Sequence, residues 1–226
     1  MIACAGLMWI GVVLLGVSIL VVLAGVFGLV MFFTGSERTN RALRKIKPSQ
    51  VATVKPGSLA RVVGKLKPGN GPLLMSPLSG KRCGYFQAVA QEWRKSGKLE
   101  GWVQLTYEEQ WCDFCLDDGT GTVLVRMLRP EVSADLEEAS FSDHIVPPNR
   151  TQESFLRRHM IAAPTPGQEA SKIKYLECLF ELDEVITAYG VVRHEPTPDG
   201  VRVVIEAPEG QPILVSDDRR TTRRAG

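Results

Sequence analysis

Charge is absent from the start of this chain: no side chain before Glu37 carries one. The apolar run Leu7 to Phe33 (LMWIGVVLLGVSILVVLAGVFGLVMFF) is longer than the roughly 20 residues a helix needs to cross a bilayer. The opening Lys or Arg of a secretory signal is missing too, and such signals have an apolar core of only about 7–15 residues. The expectation is therefore an uncleaved transmembrane anchor over 1–34. Basic residues gather after the run, at Arg38, Arg41, Arg44, Lys45 and Lys47. Positive-inside bias then keeps the C-terminal part in the cytoplasm and makes the lipid bilayer the first partner.

Reactive groups are also scarce. The three histidines, His144, His159 and His194, stand far apart in unlike contexts. Cys112 and Cys115 form a CxxC pair, but zinc needs a second pair or histidines at matching spacing, and residues three apart on the expected strand face opposite ways. Five cysteines without a small disulfide-dense frame suit a reducing compartment. Gly119-Thr-Gly121 lacks the third glycine and the helix of a dinucleotide fingerprint, Ser79-Gly-Lys81 lacks the GxxxxGK[ST] frame, and no G-x-S-x-G elbow occurs. Asp117 and Asp118 fall in an Asp-Asp-Gly turn expected to hold both in water, which is unsuited to general acid work. No catalytic residue, cofactor, cofactor-binding residue or metal ligand is expected. A nucleic-acid partner is not expected either, since no basic stripe is interleaved with stacking aromatics. The sequon Asn149-Arg-Thr151 matters only outside the cytoplasm.

What the chain does contain, after a polar, proline-interrupted and basic juxtamembrane linker (35–56), is a series of short β runs with turn signals between them. Strands are expected at Leu59–Leu66, Leu73–Met75, Arg82–Trp93, Trp102–Tyr107, Gln110–Leu116, Thr122–Met127, Ser171–Leu182, Glu184–His194, Val201–Glu206 and Ile213–Ser216, a pattern read as about eight short strands in a closed or nearly closed small barrel. Asp117-Asp-Gly-Thr-Gly121 is the clearest hairpin, because Asp-Gly supplies the positive φ values of a tight turn. An irregular helical insertion is expected at about 130–165, with helix-prone pieces at Ser133–Ala139 and Gln152–Ile161, and a basic disordered tail over 218–226. The fold class is thus mainly β: a transmembrane helix, then a small barrel-like (OB/sandwich-like) β domain over 57–217 with a helical insertion. Within the anchor Ala24 and Gly28 have small-xxx-small spacing, so helix-mediated self-association stands beside a protein partner as an open reading.

One set of motifs goes further. Ser76-Pro-Leu-Ser-Gly80, Cys83-Gly-Tyr85, an aromatic at Trp93, Phe114-Cys-Leu-Asp-Asp-Gly-Thr-Gly121 and Val123-Leu-Val125 together resemble the GIDE domain of mulan-type membrane ubiquitin ligases and their prokaryotic relatives. Glu184 to Val192 resembles that family's closing strand, Pro212 to Ser216 its terminal strand, and the likeness spans roughly 55 to 217. In the eukaryotic ligases a C-terminal RING finger recruits the conjugating enzyme. A RING needs eight Cys or His ligands, and no cysteine follows Cys178 here. The resemblance therefore implies a non-catalytic domain for protein interaction or scaffolding at a membrane, not an enzyme. Two other readings stay open: a ligase component that needs a separate RING partner, and a tethered binder of a small ligand or oligosaccharide.

Overall fold

The computed structural model describes residues 36–96, 99–134, 138–143, 145–163, 172–198 and 200–223, all belonging to one compact unit that begins at Gly35. The expected anchor, Leu7–Phe33, lies outside the described residues. Among those residues no helix is long and apolar enough to cross a membrane.

The described chain is mainly β. A helix, α1 (36–44), and a single 3-10 turn at Val51–Thr53 lead into β1 (Leu59–Pro68). There follow β2 (Leu74–Met75), β3 (Arg82–Ser96), β4 (Leu99–Trp111), β5 (Phe114–Asp117), β6 (Thr122–Val125), β7 (Pro130–Ser133), β8 (Glu138–Ser142) and α2 (Arg150–Arg158). The chain ends with β9 (Ile173–Glu181), β10 (Val185–Thr197), β11 (Gly200–Glu206) and β12 (Ile213–Ser216).

Five strands close a ring. β1 runs antiparallel to β10 through Leu59–Lys65 and to β5 through Lys65–Pro68. β5 pairs antiparallel with β6, β6 parallel with β11, and β11 antiparallel with β10, which returns to β1. Alternation fills the interior: Val62 and Leu66, Phe114 and Leu116, Val123 and Val125, Ile186 and Ala188 all point into one core. β12 and β7 extend this sheet beyond β10, joined to each other in parallel.

The second sheet is antiparallel, with β9 on one edge of β3 and both β2 and β4 on the other; β8 lies outside β9. Its faces have different covers. Tyr85, Cys178 and Phe180 join the ring's core, with the Tyr85 and Phe180 rings 5.1 Å apart. The opposite face, with Phe86, Ala88, Ala90 and Tyr175, is covered by Phe155 and Leu156 of α2. That helix starts in a capping box: Asn149 Oδ1 accepts the Gln152 amide, and Gln152 Oε1 accepts the Asn149 amide.

Several expectations need correction. The count of about eight strands was low: twelve occur among the described residues, with β7 and β8 lying where no strand was expected, and the expected strand Gln110–Leu116 is divided between the end of β4 and the start of β5. The insertion at 130–165 is not purely helical. Ser133–Ala139, expected as helix, falls at the end of β7 and the start of β8, because β12 and β9 offer open edges that an acidic segment can pair with. The expected helix at Gln152–Ile161 is present as α2, two residues earlier.

The Asp117–Gly121 turn joins β5 to β6 as expected, with Gly119 at φ +84° and its amide donating to Asp117 Oδ1 at 2.8 Å. A Cβ there would meet nothing within 4 Å, so only backbone strain opposes substitution. Gly119→Val is expected to cost about 1–2 kcal/mol, read as a lower melting temperature. An unchanged melting temperature would mean the turn relaxes to another type.

Candidate functional site

Three arrangements on this scaffold could carry function: a latch that fastens both ends of the domain, the loop around Ser76–Gly80, and an uncovered sheet face.

The latch is built from segments expected to be free. Thr39, Asn40 and Leu43 of α1 are buried, as are Asp218 and Thr221 near the other end. Neither the linker at 35–56 nor the first residues of the tail at 218–226 are loose; both pack, and the disordered-tail reading is corrected through Thr222. Asn40 Nδ2 donates to Asp218 Oδ2 at 2.9 Å, while the Ser216 hydroxyl donates to Asn40 Oδ1 at 2.8 Å. Beneath them the buried Arg61 of β1 donates through Nη1 to the carbonyls of Leu43 and Ile46 and through Nη2 to that of Thr221. Its cation thus sits at the negative end of α1 and holds the C-terminal segment with the same side chain. Thr187 Oγ1 also donates to the Thr221 carbonyl, at 2.7 Å. Burial lowers the Arg61 pKa, and its Nε has no partner among the described residues. At the start of α1, Ser36 bonds Ser133 and Thr39 bonds Glu131, both on β7. Arg220 ties Asp218 to Glu37.

The loop motif has a structural cause. Glu177 of β9, only 3% exposed, inserts its carboxylate beneath Ser76–Gly80. It accepts the Ser76 hydroxyl, the Leu78 amide at 3.2 Å and the Ser79 amide at 3.2 Å. Gly84 of Cys83-Gly-Tyr85 lies where a Cβ would be 2.7 Å from the Phe114 ring. Apart from Trp93, the motifs behind the resemblance thus lie in the core and in turns.

Other sequence-singled residues stay apart or are committed elsewhere. Cys112 and Cys115 do not share a strand, contrary to expectation. Cys112 follows β4 with its amide on the Gly84 carbonyl at 3.0 Å, while Cys115 lies in β5 opposite Leu124. Among the described residues no three His, Cys, Asp or Glu side chains converge as metal ligands. Cys83 is buried, and burial pushes its thiol up to about 12. Asp118 is not held in water as expected, being 7% exposed. Burial alone would raise its pKa, but hydrogen bonds from the Val51, Thr120 and Gly121 amides and the Thr120 hydroxyl hold it below the usual range. An open recess of about 510 Å³ beside it, lined by Pro48, Gln50, Thr53 and Val63 among others, thus has its carboxylate already saturated with donors. His159 bonds Glu108 at 3.0 Å, as does Arg158 at 3.1 Å, fastening α2 to β4. His194 is exposed on β10, and His144 lies outside the described residues. Asn149 of the sequon is the α2 cap.

The uncovered face was not legible as a motif. β3 and β4 run past the ring, and on the side that faces it they carry Trp93 and Trp102, a cross-strand pair with rings 5.3 Å apart at 69°. Phe141 of β8, 45% exposed, lies 6.1 Å from Trp102. Lys174 Nζ stands 4.6 Å above the Trp102 ring and Lys172 Nζ 4.9 Å above that of Phe141; burial lowers the Lys174 pKa. The basic–aromatic interleaving that the sequence lacks is assembled here from four strands. Further along the same face Glu109 accepts the hydroxyls of Tyr85 at 2.8 Å and Tyr107 at 2.6 Å.

No protein-family model, no curated protein and no solved structure matches this chain.

Proposed function

We propose that the chain is a single-pass membrane protein whose run Leu7–Phe33 holds an OB-like, GIDE-related β domain at the cytoplasmic face of a membrane, where it serves as a non-catalytic scaffold for a protein partner. The latch carries this reading. Only Thr34 and Gly35 separate Phe33 from Ser36, and from Ser36 onward α1 is bonded to the domain. In a diffusing module these bonds would add stability alone, whereas in a tethered one they also fix the orientation of the entry helix on the domain. A scaffold that must keep one orientation at a surface uses both effects.

The ring order β1-β5-β6-β11-β10, with its one parallel pair, supports the OB likeness. That likeness also favours the small-ligand reading, since such barrels bind oligosaccharides or oligonucleotides across their second and third strands, here β5 and β6. Nearby polar groups are already engaged: Arg126 bridges Glu195 and Glu206 at 2.9 Å each, and Arg202 bonds Asn70. The scaffold reading is therefore preferred.

Protease added to right-side-out vesicles should leave the domain intact until the membrane is permeabilised; digestion before that step would overturn the topology. Purification from native membranes in mild detergent should bring down a discrete protein partner. Recovery of ubiquitin-conjugating enzymes instead would move the assignment to the ligase component.

The latch has its own test. Arg61→Met keeps most of the side-chain volume but removes three hydrogen bonds, each worth about 0.5–1.5 kcal/mol. Hydrogen exchange at 36–44 and 218–223 is expected to speed up about tenfold or more while β10 and β11 keep their protection. Equal loss across the ring would make Arg61 a determinant of the whole fold rather than of the latch.

A further inference from the structure

We infer that the uncovered face of the second sheet, formed by Trp93, Trp102, Phe141, Lys172 and Lys174, rests against the anionic headgroups of the bilayer. The inference rests on the membrane reading above and names a surface that reading does not use.

The residue types match the task. Trp, with an apolar ring and a polar N–H, concentrates at headgroup depth, and Lys beside it meets lipid phosphates and carboxylates. Charge decides which cations are free to do so. Arg94 is paired with Glu92 and Lys95 with Glu100, whereas Lys172 and Lys174 have no carboxylate partner among the described residues and stand instead over aromatic rings. At the far end of the same hairpin Leu99 is 78% exposed.

Position agrees with composition. The start of α1, next in sequence to the apolar run, is bonded to Glu131 and Ser133 of β7. From Ser133 the chain reaches Glu138, the first residue of β8, in five steps, which span at most about 18 Å. β8 carries Phe141. A domain held this close to a bilayer meets headgroups at high effective concentration, so a face with two free lysines is sufficient. A nucleic-acid backbone would need a longer track of unpaired cations, and this face also carries Glu109.

The test uses the full chain with Trp9→Phe, so that every remaining tryptophan lies in the domain, in nanodiscs of phosphatidylcholine with or without phosphatidylserine, the lipids brominated or not. Tryptophan emission should fall roughly twofold in brominated discs containing phosphatidylserine, and Lys172→Glu with Lys174→Glu should abolish most of that fall. Trp102→Ala should reduce it independently, and circular dichroism should stay unchanged in all variants. Chain retained in the discs with equal emission in brominated and plain lipid would overturn the inference and leave the anchor reading standing. Chain that elutes apart from the discs would sink the anchor reading and this inference with it. Lysine-dependent binding of a fluorescent oligouridylate, without lipid quenching, would overturn it in favour of nucleic acid.

Discussion

Glu177→Ala is expected to lower the unfolding free energy by about 4 kcal/mol and Glu177→Gln by about 2 kcal/mol. The carboxylate is buried and accepts from one hydroxyl and two backbone amides of a loop about 100 positions earlier. Hydrogen bonds to a charged group are worth about 1.5–3 kcal/mol each, and a buried donor left without a partner costs about 1–3 kcal/mol. Alanine strands all three donors and opens a hole. Glutamine keeps one oxygen but turns an NH2 toward an amide that also donates, so one bond is lost and two donors face each other. For a domain of this size 4 kcal/mol corresponds to roughly 8–16 °C in melting temperature. Urea denaturation is the direct measurement, with a lower midpoint at unchanged slope. A shift under about 1 kcal/mol for the alanine variant would mean that water satisfies the loop and that its Ser-Pro-Leu-Ser-Gly sequence has some other cause.

Much of the ring was legible because its strands alternate and its turns carry glycine or proline. Thr122–Val125, Val185–Thr197 and Gly200–Glu206 lie within a few residues of where period-2 patterning and turn chemistry put them. What local pattern could not reveal was set by distant partners. Trp111-Cys-Asp-Phe-Cys-Leu116 alternates like one strand, yet the chain breaks at Asp113, whose Oδ1 accepts the Met127 amide at 2.9 Å. That partner is fourteen residues away and leaves no trace in the alternation. The acidic stretch after Ser133 was misread for a related reason: helix propensity is a weak prior, and an open edge on β9 outweighs it.

The latch left a faint signal. Ser36, Thr39, Asn40 and Leu43 fall at i, i+3, i+4 and i+7, the spacing of one helix face. Three of the four are polar, so a search for apolar stripes passes over them, and the basic residues between them read as a solvated connector. The aromatic–lysine face was still less visible, because Trp93, Trp102, Phe141, Lys172 and Lys174 are spread over some eighty positions and meet only when β3, β4, β9 and β8 pair. By contrast, the motifs that stood out most in the sequence belong to turns and close packing.

Gly190 sets the severest of these packing constraints, and Gly190→Ala is expected to cost about 3 kcal/mol or more. One edge of β10 pairs with β12 through Tyr189 and with β11 from Val191 onward, so Gly190 sits at the changeover while its other edge faces Ala60 of β1. A Cβ there would lie 2.3 Å from the Glu206 carbonyl oxygen and 2.9 Å from Ile205 Cγ2. The oxygen belongs to the backbone of a paired strand and cannot swing aside as a side-chain tip would. Relief requires β10 and β11 to separate where the ring closes. Gly119→Ala is the control: its Cβ would enter open space, leaving only the strain of a positive φ, about 1 kcal/mol. Side by side, the Gly190 variant should be poorly soluble or melt well below the Gly119 variant. A Gly190→Ala protein as stable as the parent would mean that β10 and β11 do not approach this closely, and the closed ring would have to open at that seam.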